Sequence, residues 1–320
     1  MNEDANNSAS ATGATESLET SSVSRPSHVV WGVVVTYHPD QETLVRLLKS
    51  IRPQVTELVI VDNGSNFDFL PILGEMSCRL LPLHDNFGIA HAQNVGISLA
   101  REEGAHHVLL LDQDSIPAQD MVEHLLQTTI RLQEQGRKVA AVGPRYLDER
   151  QGEAAPFVYL RGLALERRAC EGPDDVVEAA FLIASGCLMP LRSLDAIGPM
   201  ANELFIDYVD IEWGLRAARM GYISYGVCAA RMQHALGDEW INFRGRKVPI
   251  HSPLRHYYHI RNAIWLGRQE WLSWPWKFVM FRRVILQFVF LSLMTEKRLD
   301  HARMMLIGAW HGITNRLGRR

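Results

Sequence analysis

The sequence predicts an α/β fold: a mostly parallel sheet with helices on both faces, followed by a helical C-terminal region. The first half of the chain contains apolar runs rich in Val, Leu and Ile without polar alternation, which is typical of strands buried on both faces. Segments with helical spacing lie between these runs, and each run ends in a polar cluster. Such alternation of strands and helices is typical of parallel sheets.

Four strands and two helices are predicted in this half. The apolar runs occupy residues 29–37, 58–61, 80–83 and 108–112. Apolar residues recur at helical spacing over residues 43–51 and 89–101, which predicts amphipathic helices. The order is therefore β-α-β-β-α-β. Because the carboxyl ends of parallel strands form one edge of a sheet, we expect the polar clusters to meet at that edge, where ligands bind in open α/β sheets.

The fourth run leads into two carboxylates one residue apart, Asp112 and Asp114. Two carboxylates this close repel each other unless a cation lies between them, and their hard oxygen atoms suit Mg²⁺ or Mn²⁺. Substrate phosphates commonly complete the coordination shell of such a metal. The simpler interpretation is a turn at the strand end, with one solvated Asp and one Asp that caps a helix.

Two more strand ends carry side chains that can contact a nucleotide. These residues are Thr36, Tyr37, Asp62 and Asn63. The carboxylate of Asp62 can accept a hydrogen bond from the ring N–H of uracil or thymine. The alternative for Asp62 and Asn63 is a plain turn at the pair Asn63-Gly64. Asn86 and Asn94 are further candidate contacts, and for them the alternative is a role as helix caps or solvated residues. The Gly-rich dinucleotide motif and the P-loop motif are absent from the sequence, so neither of those folds is indicated.

Charge is distributed unevenly along the 320 residues. Between residues 244 and 320, 15 Lys and Arg residues face three acidic ones, a net charge of +12. Residues 1–27 carry −3, and since the whole chain carries −3, residues 28–243 carry −12. An acidic body joined to a basic region predicts an anionic partner, either a membrane surface or nucleic acid. No nucleic-acid recognition motif accompanies the basic region, so we expect a membrane surface and no nucleic acid.

The N-terminus and the cysteines point to an intracellular, reducing environment. Residues 1–27 are polar and lack the apolar core of a secretory signal, so we predict a disordered tail. The four cysteines are Cys78, Cys170, Cys187 and Cys228, widely spaced and without a C-x-x-C pair. This spacing predicts neither a structural zinc site nor a disulfide framework.

Taken together, the motifs resemble those of the family 2 glycosyltransferases of GT-A fold. They comprise residues 33–37, residues 61–65, the pattern Asn86-x-Gly88-x3-Ala92-x-Asn94-x-Gly96, Asp112-x-Asp114, Ser185-Gly186, residues 205–216 and His234. Further patterns at residues 252–262 and 310–318 look like those of the bacterial rhamnosyltransferases of this family. The resemblance covers residues 28–318.

The resemblance implies a nucleoside diphosphate sugar as donor, dTDP-L-rhamnose, and a saccharide or lipid-linked acceptor in bacterial surface polysaccharide synthesis. It divides the chain into a GT-A catalytic domain and a basic, aromatic helical region. The implied ranges are a nucleotide-binding half at 28–115, an acceptor half at 116–243, and the helical region at 244–320. Three alternatives are a transferase that uses a UDP-sugar, a non-catalytic scaffold that binds sugar nucleotides, and a nucleotidyltransferase; the last usually needs a Gly-rich phosphate loop, which is absent.

The same resemblance assigns roles to the strand-end residues. The implied nucleotide contacts are Thr36, Tyr37, Asp62, Asn63, Asn86, Asn94 and Asp112, with Asp62 reading the base. The implied ligands of Mg²⁺ or Mn²⁺ are Asp112, Asp114 and His234.

A second group of carboxylates, Asp207, Asp210 and Glu212, supplies the predicted catalytic residues. Inverting sugar transfer needs one base that takes the proton of the acceptor hydroxyl as it attacks. Asp210 matches the base position of the family, and Asp207 and Glu212 are neighbours that can orient the acceptor or the base. The alternative is that all three are acids favoured by the dipole at a helix N-terminus.

Residues 271–294 are strongly apolar and aromatic, and Arg282 and Arg283 interrupt them. No uncharged run reaches the roughly 18–20 residues that a spanning helix needs. Aromatic and basic residues on one segment favour a helix that lies in the membrane interface, with Trp271, Trp274 and Trp276 at the headgroups. We therefore expect a cytoplasmic enzyme, peripheral on the inner face of the bacterial inner membrane. The alternatives are a buried helical hairpin and a contact within a homo-oligomer.

Overall fold

The computed structural model describes residues 28–147, 154–234, 239–243 and 246–320. The predicted N-terminal tail lies outside these ranges. No side chain of residues 234–249 is described, and only the backbone of the strands in this stretch is given.

The first half of the chain forms the predicted parallel sheet. Its elements are β1 (Val30–Thr36), α1 (Gln41–Ile51), β2 (Glu57–Asp62), α2 (Leu70–Glu75), β3 (Arg79–Pro82), α3 (Ile89–Glu102) and β4 (His107–Asp112). β1 pairs in parallel with β2 on one side and β4 on the other, and β3 pairs in parallel with β2. The four predicted strands and both predicted helices are confirmed. The short helix α2 was not predicted.

The second half extends this sheet with mixed strand directions. Its elements are β5 (Ser115–Pro117), α4 (Met121–Glu134), β6 (Val139–Leu147), β7 (Phe157–Arg161), β8 (Ala164–Arg168), β9 (Val176–Ala179), β10 (Leu188–Pro190), α5 (Leu191–Ile197), α6 (Val209–Arg219) and β11 (Ile223–His234). The sheet order is β3-β2-β1-β4-β10-β6-β11-β5. β10 runs antiparallel to both β4 and β6. The predicted parallel arrangement therefore holds for the first half, and the whole sheet is mixed.

Two apolar cores explain why the strands lack alternation. Val33 and Val35 of β1 pack into one core, with α3, α5 and α6. Val30 and Val34 of the same strand pack into the other core, with α1 and α4. Because successive side chains of a strand point to opposite faces, a strand covered on both faces is apolar throughout. Helices on both faces of the sheet are thus confirmed.

The predicted helical C-terminal region is also present. It comprises the hairpin β12 (Glu239–Phe243) and β13 (Arg246–Ile250), then α7 (Pro253–Gly267), α8 (Trp274–Met294) and α9 (Arg298–Ile313). Ser252 caps α7 by accepting a hydrogen bond from the backbone N–H of Arg255. α7 and α9 pack closely at Gly308 and Gly312, where an added Cβ would meet the carbonyl oxygens of Tyr257 and Arg261.

One cysteine prediction is wrong. Cys170 and Cys228 form a disulfide, with their Cα atoms 5.8 Å apart and a sequence separation of 58 residues. No local motif marks this pair, because Cys228 lies in β11 and meets Cys170 only through the tertiary packing beside β9. Cys78 and Cys187 are free. Because disulfides are typical of oxidising compartments, the cysteines do not favour a reducing one.

Candidate active site

Three strand ends meet at one edge of the sheet, as the strand order requires. In the parallel register, Thr36 of β1 lies beside Asp62 of β2, and Val35 lies beside Asp112 of β4. We call this edge, where β1, β2 and β4 end, the strand-end crevice. The expected convergence of the strand-end residues is therefore confirmed as geometry.

Asp62 is buried and held in a fixed orientation at the base of the crevice. Its Oδ1 accepts hydrogen bonds from the hydroxyls of Thr36 (2.9 Å) and Ser65, and its Oδ2 accepts one from the backbone N–H of Ser65 (2.8 Å). A carboxylate has about four acceptor positions, so one remains on Oδ2. A cavity of about 200 Å³ opens beside Asp62, with Phe67 and His84 among its walls.

Asn63 and Asn86 shape the loop that leads into α3. The side chain of Asn63 donates to Asn86 Oδ1 (3.0 Å) and accepts from the backbone N–H of Phe87 (2.9 Å). Asn86 Oδ1 also accepts from the backbone N–H of Gly88 (3.0 Å). These two predicted nucleotide contacts thus lie together, and their amides already order the backbone of the loop.

Asn94 lies further along α3 and is engaged elsewhere. Its amide donates to the carbonyl of Met200 (2.9 Å) and to Asn202 Oδ1 (2.7 Å), and it accepts from the backbone N–H of Met200 (2.9 Å). These bonds use both amide hydrogens. Asn94 therefore ties α3 to the segment before α6, and its predicted nucleotide contact stays a prediction.

The turn that carries Asp112 and Asp114 is held from two sides. The backbone N–H of Asp112 donates to Ser185 Oγ (2.9 Å), which lies 2.6 Å from the hydroxyl of Ser115. The side chain of Gln113 accepts from the backbone N–H of Tyr37 (2.7 Å) at the end of β1. The two carboxylates therefore start from a turn whose backbone is fixed to both neighbouring segments.

His234 is the last residue of β11, and in the antiparallel register it lies opposite Ser115, directly after Asp114. The backbone thus brings position 234 next to the paired carboxylates. Its side chain is outside the described set, and among the side chains that are described no group of three His, Cys, Asp or Glu residues is arranged to hold a metal. The three-residue metal site stays a prediction.

Asp210 lies in the first turn of α6 and is partly buried. Burial raises the pKa of Asp210 to about 6, and the negative charges of Asp112 and Asp207 act in the same direction. The backbone N–H of Ile211 donates to Asp210 Oδ1 (2.8 Å), which opposes this shift. Asp210 is therefore close enough to the strand-end crevice for Asp112 to influence its ionisation.

Asp207 and Glu212 have different surroundings. Asp207 Oδ1 accepts from Arg255 Nε (3.4 Å), while its Oδ2 is buried and has no hydrogen-bond partner within the described residues. Burial raises the pKa of Asp207, against the positive charge of Arg255. Glu212 is buried and forms a two-point ion pair with Arg216 (2.7 and 2.9 Å). This ion pair favours a structural role for Glu212, whereas Asp207 keeps one buried oxygen that has no hydrogen-bond partner among the described residues.

Comparison with known proteins identifies the family. The family model described as glycosyl transferase family 2 matches residues 32–168. The dTDP-rhamnosyl transferase RfbF of Shigella flexneri is 33% identical over 244 residues, which cover 75% of this chain and 80% of that protein. The chain belongs to glycosyl transferase family 2. Another similar protein is the low-salt glycan biosynthesis hexosyltransferase Agl10 of Haloferax volcanii, 22% identical over 295 residues, or 90% of this chain and 92% of that protein.

Solved structures place this family 2 glycosyltransferase in the GT-A fold. GalNAc-T7 with UDP, GalNAc and Mn²⁺ is similar with a TM-score of 0.57 and 12% identity, over 90% of this chain and 56% of that one. S. aureus TarS 1–349 in complex with UDP-GlcNAc is similar with a TM-score of 0.57 and 14% identity, over 89% of this chain and 81% of that one. At these identities the likeness shows the fold, and the family membership shows a glycosyltransferase.

Sequence reasoning missed several residues that shape the site of this glycosyltransferase. Ser185 was part of a motif without a stated role, and Gln113 was only the spacer between two carboxylates. Arg255 and Asn262 belonged to a C-terminal motif whose contacts were unknown. Each acts on a segment about 50 residues or more away in sequence, so no local pattern marks these contacts.

Proposed function

We propose that this glycosyltransferase transfers L-rhamnose from dTDP-L-rhamnose to a saccharide or lipid-linked acceptor, with inversion at the anomeric carbon. The donor rests on the likeness to the Shigella flexneri dTDP-rhamnosyl transferase, which extends over three quarters of the chain. The single observation that carries the chemistry is the position of Asp210, whose ionisation responds to Asp112 at the strand ends. Asp210 as the base and the diphosphate site at Asp112 would thus lie near the same reacting anomeric carbon.

The surroundings of Asp62 support binding of a thymine or uracil base. Its carboxylate is fixed by Thr36 and Ser65 and keeps one acceptor position. A fixed acceptor loses little conformational freedom when it receives the ring N–H of the base. The exposed ring of Tyr37 lies at the adjacent strand end, where it could cover a base or ribose.

Asp112 and Asp114 would hold a divalent metal, Mg²⁺ or Mn²⁺. Their oxygen atoms fit such a metal, and the fixed turn around Gln113 and Ser185 presents both carboxylates from one backbone segment. Register at the end of β11 supports His234 as a third ligand, which would favour Mn²⁺. When bound, the metal would neutralise charge on the leaving diphosphate.

Asp210 would take the proton of the acceptor hydroxyl. A carboxylate with a pKa of about 6 is ionised at neutral pH and is a stronger base than an ordinary Asp, which suits proton transfer under cellular conditions. In a single displacement the acceptor oxygen forms its bond to the anomeric carbon as the bond to the diphosphate breaks. That geometry inverts the anomeric configuration. Asp207, the neighbouring acid, would orient the acceptor or the base.

The C-terminal helices support a membrane surface as partner. α8 exposes an apolar stripe at helical spacing: Trp274, Phe278, Phe281, Ile285, Val289 and Leu293. Arg282 and Arg283 are exposed on the same helix, which fits an anionic, apolar interface such as a bilayer. None of the described helices meets the length and hydropathy that a membrane crossing requires. Trp271 and Trp276 are partly buried and pack against the core that contains α3, α5 and α6, so of the three tryptophans only Trp274 belongs to the exposed stripe.

Arg283 on α8 lies near the residue that precedes α6. Burial raises the pKa of Tyr208 to about 12, and the positive charge of Arg283 on α8 opposes that shift. Arg283 is therefore near the residue that precedes α6 and Asp210. An enzyme held by α8 on the inner face of the inner membrane would present the start of α6 to a lipid-linked acceptor, which cannot leave the bilayer. Sedimentation with lipid vesicles, described below, tests this placement.

The released product tests the proposed function. The enzyme is incubated with dTDP-L-rhamnose, Mn²⁺ and a membrane fraction as the source of acceptor. We expect acceptor-dependent release of dTDP and incorporation of rhamnose into the lipid fraction. Pyrophosphate as the product would indicate a nucleotidyltransferase. Absence of any product, with dTDP still bound, would indicate a scaffold, and either result would overturn the proposal.

A further inference from the structure

The segment that leads into α6 has an unusual backbone. Phe205, Asp207 and Tyr208 have φ angles of +64°, +63° and +66°, in the left-handed region that glycine favours. A residue with a Cβ is sterically disfavoured at such φ angles. Three of them in four residues would relax unless other parts of the molecule held them. We call residues 204–208 the catalytic loop, because it carries Asp207 and ends one residue before α6.

Two adjacent side chains of α7 donate hydrogen bonds to the backbone of this loop. Asn262 is fully buried, and its amide nitrogen lies 2.9, 2.8 and 2.8 Å from the carbonyl oxygens of Leu204, Ile206 and Asp207. Arg261 is also fully buried and donates to the carbonyl of Leu204 (2.8 Å). The amide has two hydrogens and can serve two of these three carbonyls at a time, while Arg261 supplies a further donor to Leu204.

Arg261 also holds Asn262 in place. Arg261 Nε donates to Asn262 Oδ1 (2.9 Å), so the amide must turn its nitrogen towards the loop. The guanidinium lies 4.8 Å from the ring centre of Tyr258, which in turn stacks on Phe205 at 5.0 Å. Arg261 and Asn262 therefore hold the backbone carbonyls of the loop, and Arg261 also supports the ring of Phe205 through Tyr258.

The opposite side of the loop is tied to the nucleotide half. The backbone N–H of Ile89, at the start of α3, donates to the carbonyl of Phe205 (2.7 Å). Gly88 lies so close that an added Cβ would meet that same carbonyl. The catalytic loop is therefore held between α3, which borders the strand-end crevice, and α7 of the C-terminal region.

We propose that Arg261 and Asn262 are positioning residues that hold the catalytic loop in its strained conformation. They fix the direction in which α6 starts, and thereby the distance between Asp210 and the reacting acceptor. The inference rests on the proposed role of Asp210. Without these hydrogen bonds, the loop would relax towards ordinary backbone angles, and Asp207 and Asp210 would move while the strand-end crevice stayed intact.

Asn262→Ala tests this role against a matched control, Arg268→Ala. Arg268 directly follows the same helix and also donates to backbone carbonyls, those of Gly312 and Ile313 at the end of α9, and no hydrogen bond from it to the loop is found within the described residues. We expect Asn262→Ala to lower kcat by roughly 10²-fold, the effect of a misplacement of about 1 Å, with unchanged KM for the donor. Arg268→Ala should keep kcat near wild type, and the thermal stability of both variants is measured beside kcat.

Hydrogen exchange supplies a readout that does not depend on turnover. In Asn262→Ala, the amides of residues 204–212 should exchange faster, while those of residues 60–66 and dTDP affinity stay as in wild type. Equal kcat in the two variants, or unchanged exchange of the loop, would overturn the proposal. If Asn262→Ala does not fold, Asn262→Ser, which keeps a shorter donor, is compared in the same way. If the wild type transfers no sugar but Asn262→Ala shows the expected faster exchange, the proposed function is refuted and the structural role of Asn262 in the loop stands.

Discussion

At the scale of single residues, the acids near the strand-end crevice differ because their surroundings differ. Asp62 receives three hydrogen bonds and is fixed as an acceptor. Glu212 is neutralised by Arg216. Asp210 is shielded from water and lies near two other carboxylates, which raises its pKa. Acids with perturbed ionisation in such a cleft are candidates for proton transfer.

Replacement of Asp210 by Asn keeps the shape of the side chain and removes the proton acceptor. We expect Asp210→Asn to bind dTDP normally and to lose transfer by roughly 10²–10⁴-fold, as is typical for loss of a general base. In the wild type only the deprotonated carboxylate accepts a proton, so kcat/KM should rise with pH through about 6 and then level off. Turnover near wild type in the variant would make Asp207 the candidate base.

Asp114→Ala removes one of the two carboxylates at the end of β4. We expect the variant to lose the enhancement of dTDP binding by Mn²⁺, because Asp112 and Asp114 together would hold the metal, whose charge would attract the diphosphate. Calorimetry of dTDP with and without Mn²⁺ measures this directly. Asp195→Ala is the matched control, since Asp195 is an exposed acid paired with Arg101 on the surface. The same metal dependence in Asp114→Ala and wild type would remove Asp114 from the metal site.

At the scale of elements, the strands and helices that could be predicted are those whose pattern of apolar residues lies within a single segment. β1, β2 and β4 were predictable because both faces of each are buried, and their polar ends marked the crevice. α2 has only six residues, with a Pro in its first turn, so it has no periodicity to detect. The antiparallel β9 and β10 have four and three residues, and their direction depends on tertiary packing. The contacts of Ser185 and Asn262 likewise required the folded chain.

Gly308 tests the packing of α7 against α9. A Cβ at Gly308 would meet the backbone carbonyl of Tyr257, so Gly308→Ala must push the two helices apart. Overpacking of this kind typically costs about 1–3 kcal/mol, which urea unfolding would measure. Gly267→Ala is the control: nothing lies near its added Cβ, and Ala in a helix is favoured over Gly by up to about 1 kcal/mol. Equal stability of the two variants would contradict the close contact.

At the scale of the whole molecule, charge and apolar surface are segregated. The acidic body carries the crevice, and the basic C-terminal region carries the exposed stripe of α8. A Lys or Arg side chain near an anionic leaflet contributes about 1 kcal/mol to the free energy of binding, and this attraction fades within a Debye length. The body would be repelled by the same lipids, which would turn it away from the headgroups while the segment near Arg283 stays close to them.

Vesicle sedimentation tests this orientation. We expect salt-sensitive binding to anionic vesicles and little binding to neutral ones. Replacement of Arg282 and Arg283 by Glu should weaken binding without loss of dTDP affinity, and Phe281→Ser should weaken it at every salt concentration. If the protein binds neither vesicle and sediments as a dimer that Phe281→Ser dissociates, the stripe is a contact between two copies of the chain.

The preference among sugar donors tests the central claim most directly. The wild-type enzyme is given dTDP-L-rhamnose, dTDP-glucose, UDP-glucose and UDP-GlcNAc in parallel, each with Mn²⁺ and the same acceptor fraction, and release of the nucleoside diphosphate is measured. The account predicts the highest kcat/KM for dTDP-L-rhamnose and an inverted anomeric configuration in the product. Faster turnover of a UDP-sugar, or retention of configuration, would contradict it.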